Sequence, residues 1–105
     1  MANEKSWRAV AIIADLENKD AIQVIVEGIP IAIFKVLNKY FATSNICTHA
    51  HAQLCDGYVE GEEVECPLHS GRFHIPTGKA LGPPVTENLK TYPVQIEGNN
   101  ILIGF

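Results

Sequence analysis

Cys47-Thr48-His49 and, after a gap of sixteen residues, Cys66-Pro67-Leu68-His69 decide how this chain is read. Each stretch pairs a thiol with an imidazole, and four soft or borderline donors on two short loops invite a metal. A single zinc ion takes four ligands at tetrahedral corners, and its ligand pairs are usually separated by two to four residues. Cys-x-His leaves one residue between ligands, which is tight for two corners of one small ion. The difficulty disappears with two metals, because each loop can then give its cysteine to one and its histidine to the other. A two-iron, two-sulfide cluster with two thiolates on one iron and two imidazoles on the other has this requirement. On residue types alone, a zinc site stays open as the alternative.

Working outward, the segment between the two stretches reads as a hairpin. Asp56-Gly57 marks a turn, 58–60 a strand, Gly61-Glu62 a second tight turn and 63–65 the return. The candidate ligands thus stand at either end of one short β-hairpin, which brings them side by side. Upstream, 6–13 reads as a first strand around Trp7, Val10 and Ile12, with Trp7 expected in the core. The charged run 15–20 reads as a connection. The β-branched run 21–26 is too short for a helix and reads as a strand. Gly28 and Pro30 punctuate a hairpin returning along 31–36, and 37–39 turns the chain into a short strand at 40–44. Downstream, 72–75 leaves the second ligand stretch, 76–78 turns, and Leu81-Gly82-Pro83-Pro84 forms a proline-stiffened loop. Over 90–97, Tyr92, Val94 and Ile96 alternate with Thr91, Gln95 and Glu97, as in a half-buried antiparallel strand. Pro93 has no N–H for a ladder and fits an edge or bulge. A turn at 97–100 leads to Ile101, Ile103 and Phe105, which complete the core. Eight to ten short strands without a convincing helix predict an all-β fold, a sandwich or small barrel, in one domain over 1–105.

Composition narrows the function. The longest apolar runs, 9–14 and 29–34, fall far short of the roughly twenty residues of a membrane helix, and the polar N-terminus has no leader pattern, so the expected location is cytoplasmic. Net charge is −4 with the basic residues scattered, which excludes a nucleic-acid footprint. Glu60, Glu62, Glu63 and Glu65 read either as a solvated hairpin or as a negative rim that steers a basic partner. Of three cysteines, only Cys55 remains once Cys47 and Cys66 are ligands, so no disulfide is expected and a reducing compartment fits. Cys55 reads as a small buried residue, His51 as a surface-loop histidine and His74 as packing or capping a strand end.

Cys-x-His, a spacer of sixteen and Cys-x-x-His together form the Rieske signature, and the chain resembles that family. More closely, it resembles the soluble Rieske ferredoxin component of bacterial aromatic ring-hydroxylating dioxygenases. That likeness runs from Trp7 nearly to the end. It includes Phe41-Ala42-Thr43, Asp56-Gly57-Tyr58, Cys-Pro-Leu-His with Gly71-Arg72-Phe73, Thr77-Gly78-Lys79-Ala80-Leu81 and Lys90-Thr91-Tyr92-Pro93-Val94, and it departs at His74-Ile75-Pro76. The resemblance implies a Rieske fold: an antiparallel β-sandwich base, and a cluster-binding subdomain at about 45–85 with two ligand loops and 81–84 as a proline-containing cover. It implies one Rieske [2Fe-2S] cluster per chain, held by Cys47, His49, Cys66 and His69. The imidazole edges would reach the surface and the cysteine side would be buried.

Two neutral imidazoles in place of two thiolates make the site less negative, so such centres span about −150 to +300 mV, against about −400 mV for plant-type ferredoxins. High-potential relatives in quinol-oxidising complexes carry a disulfide between the loops, and Ser and Tyr hydroxyls after the second histidine. Here those positions hold Ala52 and Leu68, and Gly71 and Phe73. Those relatives also carry a membrane anchor that this sequence does not show. Fewer donors leave the reduced state less stabilised, which places the expected potential near the low end, about −150 mV. The resemblance implies a one-electron carrier, itself no enzyme, between an NAD(P)H-dependent flavoprotein reductase and a terminal oxygenase. It would be a monomer, docking briefly through Leu68, Pro83 and Pro84. The alternatives are a Rieske-type small subunit of a nitrite-reductase-like enzyme, a ferredoxin for a monooxygenase or demethylase, and a structural zinc module.

Overall fold

Alternating and β-branched patterns give ten strands among residues 6–48, 52–68, 70–83 and 85–105, those described by the computed structural model. In chain order they are β1 (Trp7–Ile12), β2 (Ala21–Val26), β3 (Ile29–Val36), β4 (Lys39–Ser44), β5 (Tyr58–Glu60), β6 (Glu63–Glu65), β7 (Arg72–His74), β8 (Thr91–Tyr92), β9 (Val94–Glu97) and β10 (Asn100–Gly104). They form three antiparallel sheets, ordered β1-β10-β9, β2-β3-β4-β8 and β5-β6-β7. The expected all-β architecture is the one observed.

The middle layer is built on β3, whose Ile31, Ala32, Ile33 and Phe34 are each fully buried. A strand apolar on both faces must be covered on both. Ile31 and Ile33 pack on Leu16, Tyr92, Ile101 and Ile103 of the base. Ala32, Phe34 and Val36 face the other way, onto Leu54, Val64, Phe73, Ile75 and Val85 beneath the candidate ligand loops. Each fully buried aliphatic or aromatic side chain contributes about 1.5–3 kcal/mol. β3 therefore couples the site-bearing sheet to the base through two cores. The hairpins on either side of it turn at Glu27-Gly28 and Leu37-Asn38, all four with positive φ (51°, 80°, 51° and 67°). This is the two-residue geometry whose twist matches paired strands.

Four expectations change. Trp7 is 40% exposed rather than in the core, and Ile12 is 45% exposed. β1 is an edge strand, and its register with β10 shifts between Ala9 and Ala11, which interrupts the alternation there. Pro30 does not lie in the turn but within β3, opposite Ile25, where its carbonyl accepts the Asn45 N–H at 3.1 Å. The charged connection contains a 3-10 turn, Ile13–Leu16, which presents the fully buried Leu16 to the base. The strand expected over 90–97 breaks at Pro93, with β8 pairing to β4 and β9 to β10. The missing N–H of Pro93 ends one ladder, and its carbonyl accepts Gly104 N–H at 2.9 Å in the next.

Candidate metal-cluster site

Asn45 follows β4 at the foot of the first candidate ligand loop. An Ile46–Gln53 bridge closes the loop, Leu54 N–H donates to the Asn45 carbonyl at 2.7 Å, and Cys47 N–H donates to Ala52 at 3.0 Å. Cys47 is thereby held at its backbone N–H. On the other side, β6 delivers Cys66 and β7 leaves from Gly71. Cys66 N–H donates to the Gly71 carbonyl at 2.6 Å, and Ser70 takes a φ of 59° to make the tight turn. The two cysteines are 4% and 1% exposed, and both are free thiols. His49, His69, His51 and Pro84 lie outside the described residues. Among the described residues no group of three His, Cys, Asp or Glu side chains could hold a metal.

The two thiols meet. Burial pushes the Cys66 thiol above its ordinary value; the Leu68 N–H, donating to that sulfur, pulls it down; and the hydrogen-bonded Cys47 thiol pushes it up again. Thiols need to be deprotonated to bind metal, and a bound cation supplies the charge that makes this favourable. Two buried, neighbouring, unbridged thiols suit the cysteine side of an iron–sulfur cluster. The donor set fits.

A third loop closes over the second. Leu81 N–H donates to Arg72 at 2.9 Å, Phe73 and Ala80 form a bridge, and Gly82 and Val85 form another. Val85 packs so closely on Gly71 that a Cβ there would stand 2.5 Å from its Cγ1. Thr48 Oγ1 donates to the Glu87 carbonyl at 2.8 Å, tying this segment to the first loop. The residues that touch the two candidate ligand loops, Val85 and Glu87, thus follow the expected cover 81–84 rather than belong to it. Three of the four positions named in the argument on potential are enclosed. Gly71 has no room for a hydroxymethyl group, Phe73 is fully buried with no hydroxyl, and Ala52 is buried with its carbonyl already used.

The acidic hairpin is organised by a residue that sequence reading passed over. Arg72 lies 3.3 Å from Glu60 and 3.0 Å from both Glu63 and Glu65, so three of the four carboxylates share one guanidinium. Hydrogen bonding to Glu63 leads the causes that raise the Arg72 pKa. His74 ends β7, with Nδ1 2.8 Å from Thr77 Oγ1 and Nε2 3.4 Å from Glu62. Cys55 is half-buried, and its Sγ lies 3.4 Å from Asn45 Nδ2.

A layered all-β molecule that aims two buried thiols at one another across paired loops has the design of an iron–sulfur carrier. Residues 6–93 match the Rieske [2Fe-2S] domain. The ferredoxin component of the naphthalene 1,2-dioxygenase system of Pseudomonas putida is 48% identical over 97 residues, covering 92% of this chain and 93% of the relative. Among solved structures, Sphingomonas yanoikuyae B1 ferredoxin superimposes with a TM-score of 0.88 at 36% identity, covering 95% and 99% of the two chains. A ferredoxin from the complex of reduced oxygenase and oxidized ferredoxin in carbazole 1,9a-dioxygenase gives 0.87 at 28% identity, covering 96% and 94%. The chain belongs to the Rieske [2Fe-2S] family, among the ferredoxin components of aromatic dioxygenase systems. Its cofactor is a Rieske-type [2Fe-2S] cluster, and the zinc alternative falls.

Proposed function

We propose that this protein is the one-electron carrier of a multicomponent aromatic-ring dioxygenase, taking electrons from an NAD(P)H-dependent flavoprotein reductase and delivering them to a terminal oxygenase. The pair of buried free thiols in one core cluster, Cys47 and Cys66, is the observation that carries this reading at the residue level. The ferredoxin relatives favour it over a nitrite-reductase-like subunit. Cys47, His49, Cys66 and His69 hold the cluster, one per chain. When bound, it supplies a one-electron couple raised by its two neutral ligands. The chain's own residues do the rest. The 3-10 turn Leu54–Asp56 and Phe73 close the site from below, and the Leu68 N–H supports one ligand sulfur.

Around the loops, Pro67, Leu68, Leu81 and Pro83 are exposed, Leu68 at 48% and Leu81 at 42%. They form a small apolar rim for docking. Such contacts are weak and brief, as a shuttle requires. No helix among the described residues is long and apolar enough to cross a membrane. The protein acts in the cytoplasm as a monomer. Residues 1–105 work as one domain, with the cluster-binding part at about 45–85, and the two cores that share β3 support this.

EPR-monitored potentiometric titration of the purified protein tests the reading. A low average g value with a midpoint near about −150 mV is expected. A midpoint well above zero refutes the argument from Ala52, Leu68, Gly71 and Phe73, and absence of the signal refutes the carrier. Among variants, His49→Ala and Cys47→Ala lose the signal while His51→Ala keeps it; the reverse pattern moves the ligand to His51.

A further inference from the structure

Asn45 and Thr43 are the two buried polar side chains among the described residues, and Asn45 is fully enclosed. An amide in such a place is costly unless its polar atoms are bonded, and here they are. Its N–H donates to the Pro30 carbonyl at 3.1 Å, and its carbonyl accepts Leu54 N–H at 2.7 Å. Oδ1 accepts Cys55 N–H at 2.8 Å, while Nδ2 donates to Gln23 Oε1 at 2.7 Å and lies 3.4 Å from Cys55 Sγ. One residue thus joins β2, β3 and the 3-10 turn Leu54–Asp56 at the end of β4.

What stands on either side of this knot gives it meaning. Towards the loop tip come the Ile46–Gln53 bridge and the Cys47 clamp. Behind it, Gly57 N–H donates to Leu54 at 2.9 Å, and a Cβ on Gly57 would stand 2.3 Å from the Glu65 carbonyl. The turn held by Asn45 therefore abuts the residue before Cys66. The foot of one ligand loop and the strand end that carries the other are braced through the same turn.

We infer that Asn45 is a positioning residue for the cluster: its side-chain amide sets the spacing between Cys47 and Cys66. This rests on the proposal that those cysteines are ligands. A side chain of equal volume without polar atoms would fill the space. It would leave the Cys55 N–H unpaired, release Gln23 to solvent and let the loops part. An aspartate keeps the acceptor for Cys55, and the exposed Gln23 can turn its own N–H towards the carboxylate.

The test uses the holoprotein and the variants Asn45→Leu, Asn45→Asp and Cys55→Ala. Iron release to a chelator, the g values of the reduced cluster, the midpoint potential and circular dichroism are measured. Asn45→Leu is expected to release iron at least tenfold faster with displaced g values. Asn45→Asp recovers most of the wild-type behaviour, and Cys55→Ala, which loses only the thiol contact, matches wild type. Wild-type iron release and g values in Asn45→Leu overturn the inference, and so does an Asn45→Asp variant that fails as Asn45→Leu does. Should Asn45→Leu give no folded holoprotein, the Asn45→Asp/Gln23→Ala double variant decides. Faster iron release than in Asn45→Asp alone supports the knot, and an equal rate overturns it. If the ligand assignment itself is wrong, Cys47→Ala or Cys66→Ala keeps the Rieske signal; if only this inference is wrong, those variants lose it and the Asn45 variants fail to differ from wild type.

Discussion

Gly71 and Gly57 each lie where the chain cannot accept a side chain, but for different reasons. At Gly71 the obstacle is Val85 Cγ1, 2.5 Å from an added Cβ; at Gly57 it is backbone, the Glu65 carbonyl at 2.3 Å. Gly71→Ala is expected to cost about 1–3 kcal/mol, part of which Val85→Ala restores, because a side-chain clash can be relieved from the other partner. Gly57→Ala should cost more, with no such rescue. Urea unfolding of the four proteins decides this, and equal losses at the two glycines would contradict it. A second residue reports through pH. Tyr92 is buried, stacked on Phe105 at 5.7 Å under the Lys90 ammonium, and burial raises its phenol pKa. Below the ordinary value of about 10, folded and unfolded chains both keep the proton. As pH rises past it the unfolded chain ionises first, so stability falls until the folded pKa is passed. The slope is at most one proton, about 1.4 kcal/mol per pH unit. Tyr92→Phe removes this loss, read from unfolding midpoints between pH 8 and 11.

Among the elements, the turns show how unevenly the sequence announces its structure. Gly61-Glu62 was legible because glycine tolerates the positive φ of 61° found there. Leu37 holds a φ of 51° while 77% exposed, a choice no turn rule favours. Replacing Leu37-Asn38 with Asn-Gly should stabilise the β3–β4 hairpin by about 1 kcal/mol, measured by thermal unfolding. Most strands were legible from alternation and β-branching, and the family from the spacing of Cys-x-His and Cys-x-x-His. What escaped depends on tertiary partners. Trp7 looks like core until an edge strand with a shifted register exposes it, and Leu16 looks like linker until a 3-10 turn carries it inward. Pro93 was read correctly as incompatible with a central ladder, but not that the chain changes sheets there. Asn45 and Arg72 gave no local sign at all. Their importance lies in partners up to 22 residues away, which only the folded sheets bring together.

At the scale of the whole molecule, the proposed docking draws on charge and on apolar surface in different ways. The chain carries a net charge of −4, and Arg72 gathers three of the hairpin's glutamates. Replacing that guanidinium by a neutral amide leaves those three carboxylates without their shared partner. The cost to folding is small, because the pairs are partly exposed and screened by solvent. Its effect on association reaches only about 8 Å in physiological salt and further when salt is lowered. Leu68 acts differently: it is half-exposed on the rim, its N–H serves the Cys66 sulfur, and its side chain is free to meet a partner. Leu68→Ser keeps that N–H, so the midpoint potential and thermal stability should hold, while electron delivery to the oxygenase slows about fivefold, the equivalent of about 1 kcal/mol. The two variants therefore separate in stopped-flow traces across ionic strength. The Arg72→Gln effect should shrink towards nothing at high salt, and the Leu68→Ser effect should stay constant. A Leu68→Ser defect that vanished with salt would mean the rim does not touch the partner and that the negative hairpin alone guides the encounter.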